Sequence, residues 1–204
     1  MEILCPTPPT TDRIQMGHGS GGRQTQKLIE EIFYPAFANP ALLAKHDAAA
    51  LSIERARLAF TTDSFVIHPL FFPGGDIGRL AVTGTLNDLA MAGARPRYLS
   101  AGFILEEGLE ISVLQQVVDS MGKTAKAAGA ALVTGDTKVV DRGKGDGLYI
   151  NTSGIGERLF PSEIGPTNVK PGDAVILSGD VGRHGMAVMA AREGLGLETD
   201  LVSD

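Results

Sequence analysis

The order of strand-like and helix-like segments limits this chain to a β-sheet packed against helices. Strands are predicted for four apolar, β-branched runs, at residues 58–67, 98–105, 130–134 and 148–155. Helices are predicted where apolar residues recur at helical spacing, at residues 77–92 and 111–128. This alternation predicts an α+β fold with one mixed β-sheet and helices on one face. Three of the strand runs are apolar at both odd and even positions, so both faces are expected to be covered, the second by another copy in a dimer.

The sequence predicts that the chain has three parts. Residues 1–15 are rich in proline and predict a flexible tail, and residues 16–160 form the main predicted domain. Residues 161–204 predict a linker and the start of a second α/β domain, with a strand at Ala174–Ser178 and a helix at 185–192. One strand and one helix cannot bury their apolar faces alone, so we expect a truncated form of a longer protein.

Charge and cysteine content exclude several classes of function. The formal net charge is −6 over 204 residues, without a run of Lys or Arg, which argues against nucleic acid or an anionic membrane as partner. No apolar stretch approaches 18 residues. Cys5 is the single cysteine, so no intramolecular disulfide can form, and a cytoplasmic protein is expected.

Four aspartates beside apolar segments are candidate metal ligands. A carboxylate next to a core is costly unless it is paired or metal-bound, and several of them with an asparagine suit Mg²⁺ and a nucleotide. Any one of them alone is more often a cap or turn residue. The candidates are Asp47, Asp63, Asp88 and Asp136, with Asn87 beside Asp88.

A glycine-rich segment precedes the first predicted helix, residues 24–33. Glycines allow backbone N–H groups to approach a phosphate, so the segment is a candidate phosphate-binding loop. It matches neither the P-loop nor the dinucleotide pattern, and a flexible linker remains an alternative. Its candidate residues are His18, Gly19, Ser20, Gly21 and Gly22.

Lys138 follows Asp136 by two residues, in Gly135-Asp136-Thr137-Lys138. We predict a tight turn here, at the end of a strand, where ligand-binding residues often lie. Lys138 could then neutralise a phosphate or act as a base, although a solvated surface lysine remains the alternative.

Together, these motifs resemble the HypE family of hydrogenase-maturation carbamoyl dehydratases. The resemblance spans about residues 16–204. Broader relatives include aminoimidazole ribonucleotide synthetase, selenide water dikinase and thiamine-monophosphate kinase. The motifs occur in the family's order: residues 17–22, Thr61-Thr62-Asp63-Ser64, residues 69–78, residues 85–90 and residues 133–140.

The resemblance implies a homodimer whose N-terminal sheets form a barrel across the two-fold axis. It implies ATP and Mg²⁺ as cofactors, with Asp63, Asn87 and Thr137 among the nucleotide-binding residues and Lys138 as the catalytic residue. The implied reaction dehydrates a C-terminal S-carbamoyl-cysteine to a thiocyanate, for the cyanide ligands of nickel–iron hydrogenase. The implied partners are the carbamoyltransferase HypF and the HypC–HypD complex.

Two departures from the family pattern leave alternatives open. His46-Asp47-Ala48 stands where the family often has two adjacent acids, and the family's C-terminal half with its terminal cysteine is not in this sequence. This chain alone is therefore expected to be inactive. The alternatives are another ATP-dependent, oxygen-phosphorylating enzyme of the broader family, or a non-catalytic dimerisation module.

Overall fold

The structure is a computed structural model that describes residues 12–20, 22–39, 57–161, 165, 168–192 and 200–204. Asp47, Gly21 and Cys5 lie outside these residues. Ile14 is buried in the main core and exchanges backbone hydrogen bonds with Gly108 and Leu109. Ile14, which falls within the segment 1–15 that was predicted to be a tail, therefore packs against the main domain.

A four-stranded mixed sheet forms the centre of the fold. Its order is β1–β6–β4–β5, in which β4 and β5 are parallel and the other neighbours are antiparallel. This confirms the predicted mixed sheet. Its strands are β1 (Leu58–Phe65), β4 (Ala94–Glu106), β5 (Ala131–Val140) and β6 (Leu148–Arg158), while β2 (Phe71–Phe72) and β3 (Gly75–Asp76) form a separate short hairpin.

Helices cover one face of the sheet, as predicted. The first helical run comprises α1 (Arg23–Leu28), a π-helical turn (Ile29–Phe33) and α2 (Tyr34–Phe37). The two long helices are α3 (Ile77–Met91) and α4 (Ile111–Ala127), and α5 (Arg183–Ala191) follows near the end of the chain. Alternate residues of the central strands, such as Leu99 and Ile150, are buried under these helices. The resulting core holds α3 firmly across β1 and β6.

No described helix packs on the opposite face of the sheet, here called the open face, and only the loop at residues 143–147 reaches one end of it among the described residues. Phe60 of β1 is 69% exposed and Ile104 of β4 is 44% exposed. The expectation of two covered faces is thus not met within one chain, and dimerisation through the open face stays a prediction.

The predicted limits of β4 and β5 were wrong. β5 continues to Val140, because Gly135–Val140 pair in parallel register with Ala101–Glu106. Gly135-Asp136-Thr137-Lys138 therefore lies within a strand and not in a turn. β4 already begins at Ala94 and not at residue 98 as predicted, because its first residues pair with the end of β6.

The predicted strand Ala174–Ser178 is absent from the structure. The segment pairs with no strand among the described residues, and Val175 is 98% exposed. The predicted helix is present as α5. His184 of α5 contacts the ring of Phe72 edge-on at 5.4 Å and lies 3.0 Å from the Ser203 hydroxyl. Ser203 donates its backbone N–H to the Pro73 carbonyl, so this part of the chain packs against the β2–β3 hairpin.

Within the described residues, no helix is both long enough and apolar enough to cross a membrane.

Candidate functional site

Asp63 and Asp88 lie together where α3 crosses β1, at one edge of the sheet. Thr61 of β1 donates its hydroxyl to the Asp88 carboxylate at 2.8 Å, which ties strand and helix together. A Cβ on Gly84, one helical turn before Asp88, would lie 3.7 Å from the Asp63 carboxylate. Glycine at this position therefore brings α3 close to the Asp63 side chain.

The two carboxylates retain free oxygens that suit a hard cation. Asp63 Oδ1 accepts the Ser64 backbone N–H at 2.7 Å, and Asp88 Oδ2 accepts the Thr61 hydroxyl. The second oxygen of each has no hydrogen-bond donor among the described residues. Asn87 is exposed beside them. Exposed carboxylate and amide oxygens of this kind are ligands that Mg²⁺ takes together with water and phosphate, so the donor set fits the predicted ion.

Asp136 and Lys138 lie on β5, at the other edge of the sheet. By strand register Asp136 stands beside Gly102 and Lys138 beside Ile104, which places both on the open face. Lys138 Nζ is 3.3 Å from Asp136 Oδ1, and both side chains are exposed. Thr137, between them, is on the helix-covered face and half-buried. The acid and the lysine are therefore available to a ligand that approaches from the open face.

The glycine-rich segment packs against the same edge strand. Residues Met16–Gly19 form a 3-10 turn, and a Cβ on Gly19 would lie 2.6 Å from the Val139 backbone nitrogen. Only glycine permits this approach. Ser20 donates its hydroxyl to the Gly17 carbonyl, and Gly22 begins helix α1. The structure thus brings the predicted phosphate loop against β5 at Val139, the residue that follows Lys138 in the strand.

His18 holds this turn in place. Its Nδ1 accepts the Gln15 backbone N–H at 2.9 Å, which puts the proton of the neutral ring on Nε2. The side chain is buried, and this burial lowers the pKa of His18 below its usual value, as does the positive charge of Lys27. His18 therefore stabilises the conformation of the loop by a hydrogen bond within it.

A second loop at this end of the sheet, residues 142–147, was not among the site residues predicted from the sequence. Both oxygens of the Glu106 carboxylate accept backbone N–H groups, from Gly143 and from Gly147, and these bonds lower the pKa of Glu106. A Cβ on Gly145 would contact Val140 and Tyr149, so the loop folds over the end of the open face. The glycines at 143, 145 and 147 could have indicated a loop at this position. The sequence could not show that the loop binds Glu106, because these hydrogen bonds join residues that are distant in the chain.

The acids do not converge within one described chain. Asp63 is in register with Thr152, Thr152 with Ala101, and Ala101 with Gly135. Asp63 and Asp136 are thus nearly level but lie on opposite edges of the sheet. Three strand spacings separate their backbones by roughly 14 Å. Among the described residues no group of three or more His, Cys, Asp or Glu could hold a metal ion. Asp47 and Gly21 fall outside the described residues and stay predictions.

Comparison with known proteins identifies close relatives. The carbamoyl dehydratase HypE of Rhizobium leguminosarum bv. viciae is 53% identical over 192 residues, which cover 94% of this chain and 55% of the relative. The chain thus spans about half the length of the curated relatives it matches.

Solved structures agree with this similarity. A structure of the hydrogenase maturation protein HypE in complex with ATP has a TM-score of 0.89 at 52% identity, and covers 92% of this chain and 56% of that one. A HypE–HypF complex has a TM-score of 0.71 at 51% identity, with 87% and 57% covered. The family model described as AIR synthase related protein, N-terminal domain, matches residues 45–158. The chain therefore belongs to the AIR synthase related family, and within it is similar to the HypE proteins.

Proposed function

We propose that this chain is the ATP-binding part of a HypE-type carbamoyl dehydratase, which uses ATP to convert a protein C-terminal S-carbamoyl-cysteine into a thiocyanate. The observation that carries the proposal is the arrangement of candidate residues at the two edges of one sheet. Asp63, Asn87 and Asp88 occupy the β1 edge, whereas Lys138 and the glycine-rich turn occupy the β5 edge. Candidate metal ligands thus lie at the β1 edge, and candidate phosphate-binding groups lie at the β5 edge.

A homodimer completes the site. If two sheets face each other across a two-fold axis parallel to the strands, the β1 edge of one copy meets the β5 edge of its partner. Backbone positions at the same height in the sheet then lie opposite each other in the two copies, and Asp63 and Asp136 are nearly level. The exposed open face, with Phe60 and Ile104, supplies the apolar surface for this contact.

Each residue then has a defined role. Asp63 and Asp88 of one copy, and Asp136 of the other, would hold Mg²⁺, with Asp47 as a further candidate. The ion would neutralise charge on the ATP phosphates. Backbone N–H groups of residues 17–22 cradle the phosphates, and Lys138 stabilises negative charge on the transferred phosphoryl group.

The reaction itself balances as two steps. The carbamoyl oxygen takes the γ-phosphoryl group of ATP and the nitrogen loses a proton, which gives ADP and an S-bound imidoyl phosphate, S–C(=NH)–O–phosphate. Loss of the second N–H proton and of inorganic phosphate then leaves the thiocyanate. Phosphorylation is needed because it turns a poor leaving oxygen into a good one. HypF would supply the carbamoyl group and a HypC–HypD complex would receive the cyanide.

Complementation between two inactive variants tests the composite site. Asp88→Asn and Asp136→Asn chains carrying different tags are co-expressed, and the mixed dimer is isolated. One of its two sites then combines an intact Asp88 with an intact Asp136. Calorimetry should find about half the wild-type number of Mg²⁺-dependent ATP sites.

Each homodimeric variant should show loss of these sites, and Asp141→Asn, an exposed acid outside the site, serves as the matched control. No recovery in the mixed dimer, with both parents defective, would place the whole site within one chain. Full ATP binding by both parents would refute the assignment of the acids.

A further inference from the structure

Helix α3 meets the sheet through a pair of buried hydroxyl groups. Thr85 of α3 and Thr152 of β6 are both 0% exposed, and their Oγ1 atoms are 2.5 Å apart. Thr152 Oγ1 also lies 3.0 Å from the Ala81 carbonyl, to which it donates. A hydroxyl has a single proton, so Thr85 must be the donor to Thr152. The result is a directional chain from helix to strand and back to the helix.

Glycines let the helix approach this hydroxyl pair closely. A Cβ on Gly154 of β6 would lie 2.8 Å from Thr85 Cγ2 and 3.0 Å from the Leu89 side chain. A Cβ on Gly84 of α3 would lie 2.8 Å from the ring of Phe65. The two glycines therefore determine how closely α3 approaches the sheet, and the two hydroxyls determine the register of α3 along it.

A hydroxyl pair fixes register more strictly than an apolar contact would. Apolar surfaces can slide with little change in buried area, whereas a buried hydroxyl that loses its partner bears its full desolvation cost. Thr152 is moreover the residue paired with Asp63 in the β1–β6 ladder, and Thr85 lies one helical turn before Asp88. The pair thus sits immediately beside the two candidate metal ligands.

We propose that Thr85 and Thr152 are positioning residues for the metal–nucleotide site: they hold α3 in the one register that places Asp88 against Thr61 and Asp63. This inference rests on the proposed function, because it concerns the same acids. Thr61 then fixes the carboxylate that Thr85 and Thr152 have brought within its reach. Residues that orient metal ligands in this way typically change metal affinity by about 10- to 100-fold when they are removed.

The test replaces Thr152 by Val, which has nearly the same shape but no hydroxyl. ATP affinity is measured by calorimetry with and without Mg²⁺, and crystal structures of the variant and the wild type are compared. We expect the Mg²⁺-dependent part of the affinity to fall about 10-fold or more, the Mg²⁺-free affinity to be unchanged, and the Thr61–Asp88 hydrogen bond to be lost. Thr152→Ser, which keeps the hydroxyl, should match the wild type in both affinities and in the Thr61–Asp88 hydrogen bond.

Thr83→Val is the matched control. Thr83 is on the same helix, but among the described residues its hydroxyl bonds only to carbonyls of α3 itself, so its loss should leave the Mg²⁺ dependence unchanged. If Thr152→Val does not fold, Thr85→Val is used, because it leaves the Thr152–Ala81 bond intact and should produce a smaller shift in the same direction.

An unshifted α3 with the Thr61–Asp88 bond retained would overturn the proposal, as would an equal loss of affinity with and without Mg²⁺. If the wild type itself binds ATP without any Mg²⁺ dependence, the proposed function fails. The comparison of the two crystal structures then decides the positioning role by itself.

Discussion

Lys138 and Asp136 form an ion pair on the open face of β5, with both side chains more than half exposed. An exposed pair of this kind contributes little to stability. The pair matters for the proposed chemical role, because a cation and a candidate metal ligand lie side by side on a strand that pairs in parallel with β4. A strand places these groups more rigidly than the predicted turn would, which favours a role that needs fixed geometry.

Replacement of Lys138 by Ala tests this role. We expect transfer of phosphate from ATP to a peptide with C-terminal S-carbamoyl-cysteine to fall by about 10²-fold, because one preorganised charge is lost from the transition state. The thermal midpoint should be unchanged, since the lysine packs against little. Lys126→Ala, an exposed lysine at the end of α4, is the control. Near-normal transfer by the Lys138 variant would show it to be a solvated surface residue.

His18 gives the glycine-rich turn a dependence on pH. Burial lowers its pKa in the folded state, so as pH falls the unfolded chain binds the proton first. Stability that His18 contributes is therefore present above its ordinary pKa of 6.5 and is lost as pH falls from there toward the lower folded value. Protonation also removes the Nδ1 acceptor for the Gln15 N–H, which should loosen the turn.

Denaturant unfolding and ATP binding at pH 7.5 and pH 5.5 measure this effect. The wild type should lose both stability and ATP affinity at the lower pH. His18→Asn should lose less of each, because the amide oxygen can replace Nδ1 as acceptor and does not titrate. Identical pH profiles for the two proteins would rule out His18 as the responsible group.

At the scale of elements, Asp76 joins the hairpin, α3 and α4. Its Oδ1 accepts the backbone N–H groups of Gly78 and Arg79 at the start of α3, at 2.7 Å and 3.1 Å. Its Oδ2 accepts the Ser120 hydroxyl of α4 at 2.6 Å. One carboxylate thus caps the helix that carries Asp88 and fixes it to the neighbouring helix.

Asp76→Ala should therefore lower the free energy of unfolding by about 2 kcal/mol, from the lost cap and the lost bond to Ser120. Asp76→Asn should lose less, because its amide oxygen can still cap the helix. Asp119 is an acid of α4 whose side chain, within the described part of the chain, bonds only to Gln115 of the same helix. Asp119→Ala should therefore change stability by no more than about 0.5 kcal/mol. Urea unfolding measures all three, and equal losses for Asp76→Ala and Asp119→Ala would contradict the capping role.

At the scale of the whole molecule, the open face is the feature that a single chain leaves without a partner. It combines exposed apolar residues on β1 and β4 with a polar centre, in which Asn151 donates to Ser64 and Thr62 accepts from Ser153. Dimerisation through this face would bury the apolar residues and complete the site proposed above.

Phe60→Lys should convert the proposed dimer into a monomer, because two buried ammonium groups would oppose the contact. The monomer should stay folded, since Phe60 is already 69% exposed in the single chain. Met91→Lys, at a position on α3 that is 75% exposed and away from the open face, is the control. Sedimentation velocity at micromolar concentration distinguishes monomer from dimer, and a wild type that sediments as a monomer would contradict the prediction.

Much of this architecture could be predicted from local patterns. Helical spacing located α3 to within one residue, because the helical period follows from backbone geometry. Apolar, β-branched runs located β1 and β6, because such side chains favour a pleated strand. The closeness of α3 to β1 was not predicted, although Gly84, which permits it, lies within the predicted helix. Motif order also indicated the family, since residue types at a phosphate or metal site are constrained by chemistry.

Other features depended on partners distant in the sequence. Whether β5 ended at Thr134 or Val140 was decided by β4, whose last residues offer it hydrogen bonds, and Ala174–Ser178 forms no strand because no described strand pairs with it. The sequence by itself determined which residues could bind a nucleotide and a metal ion, because that is a matter of side-chain chemistry. Only the tertiary structure decided that Asp63 and Asp136 lie on opposite edges, because strand order in a sheet is a long-range property that no local pattern encodes.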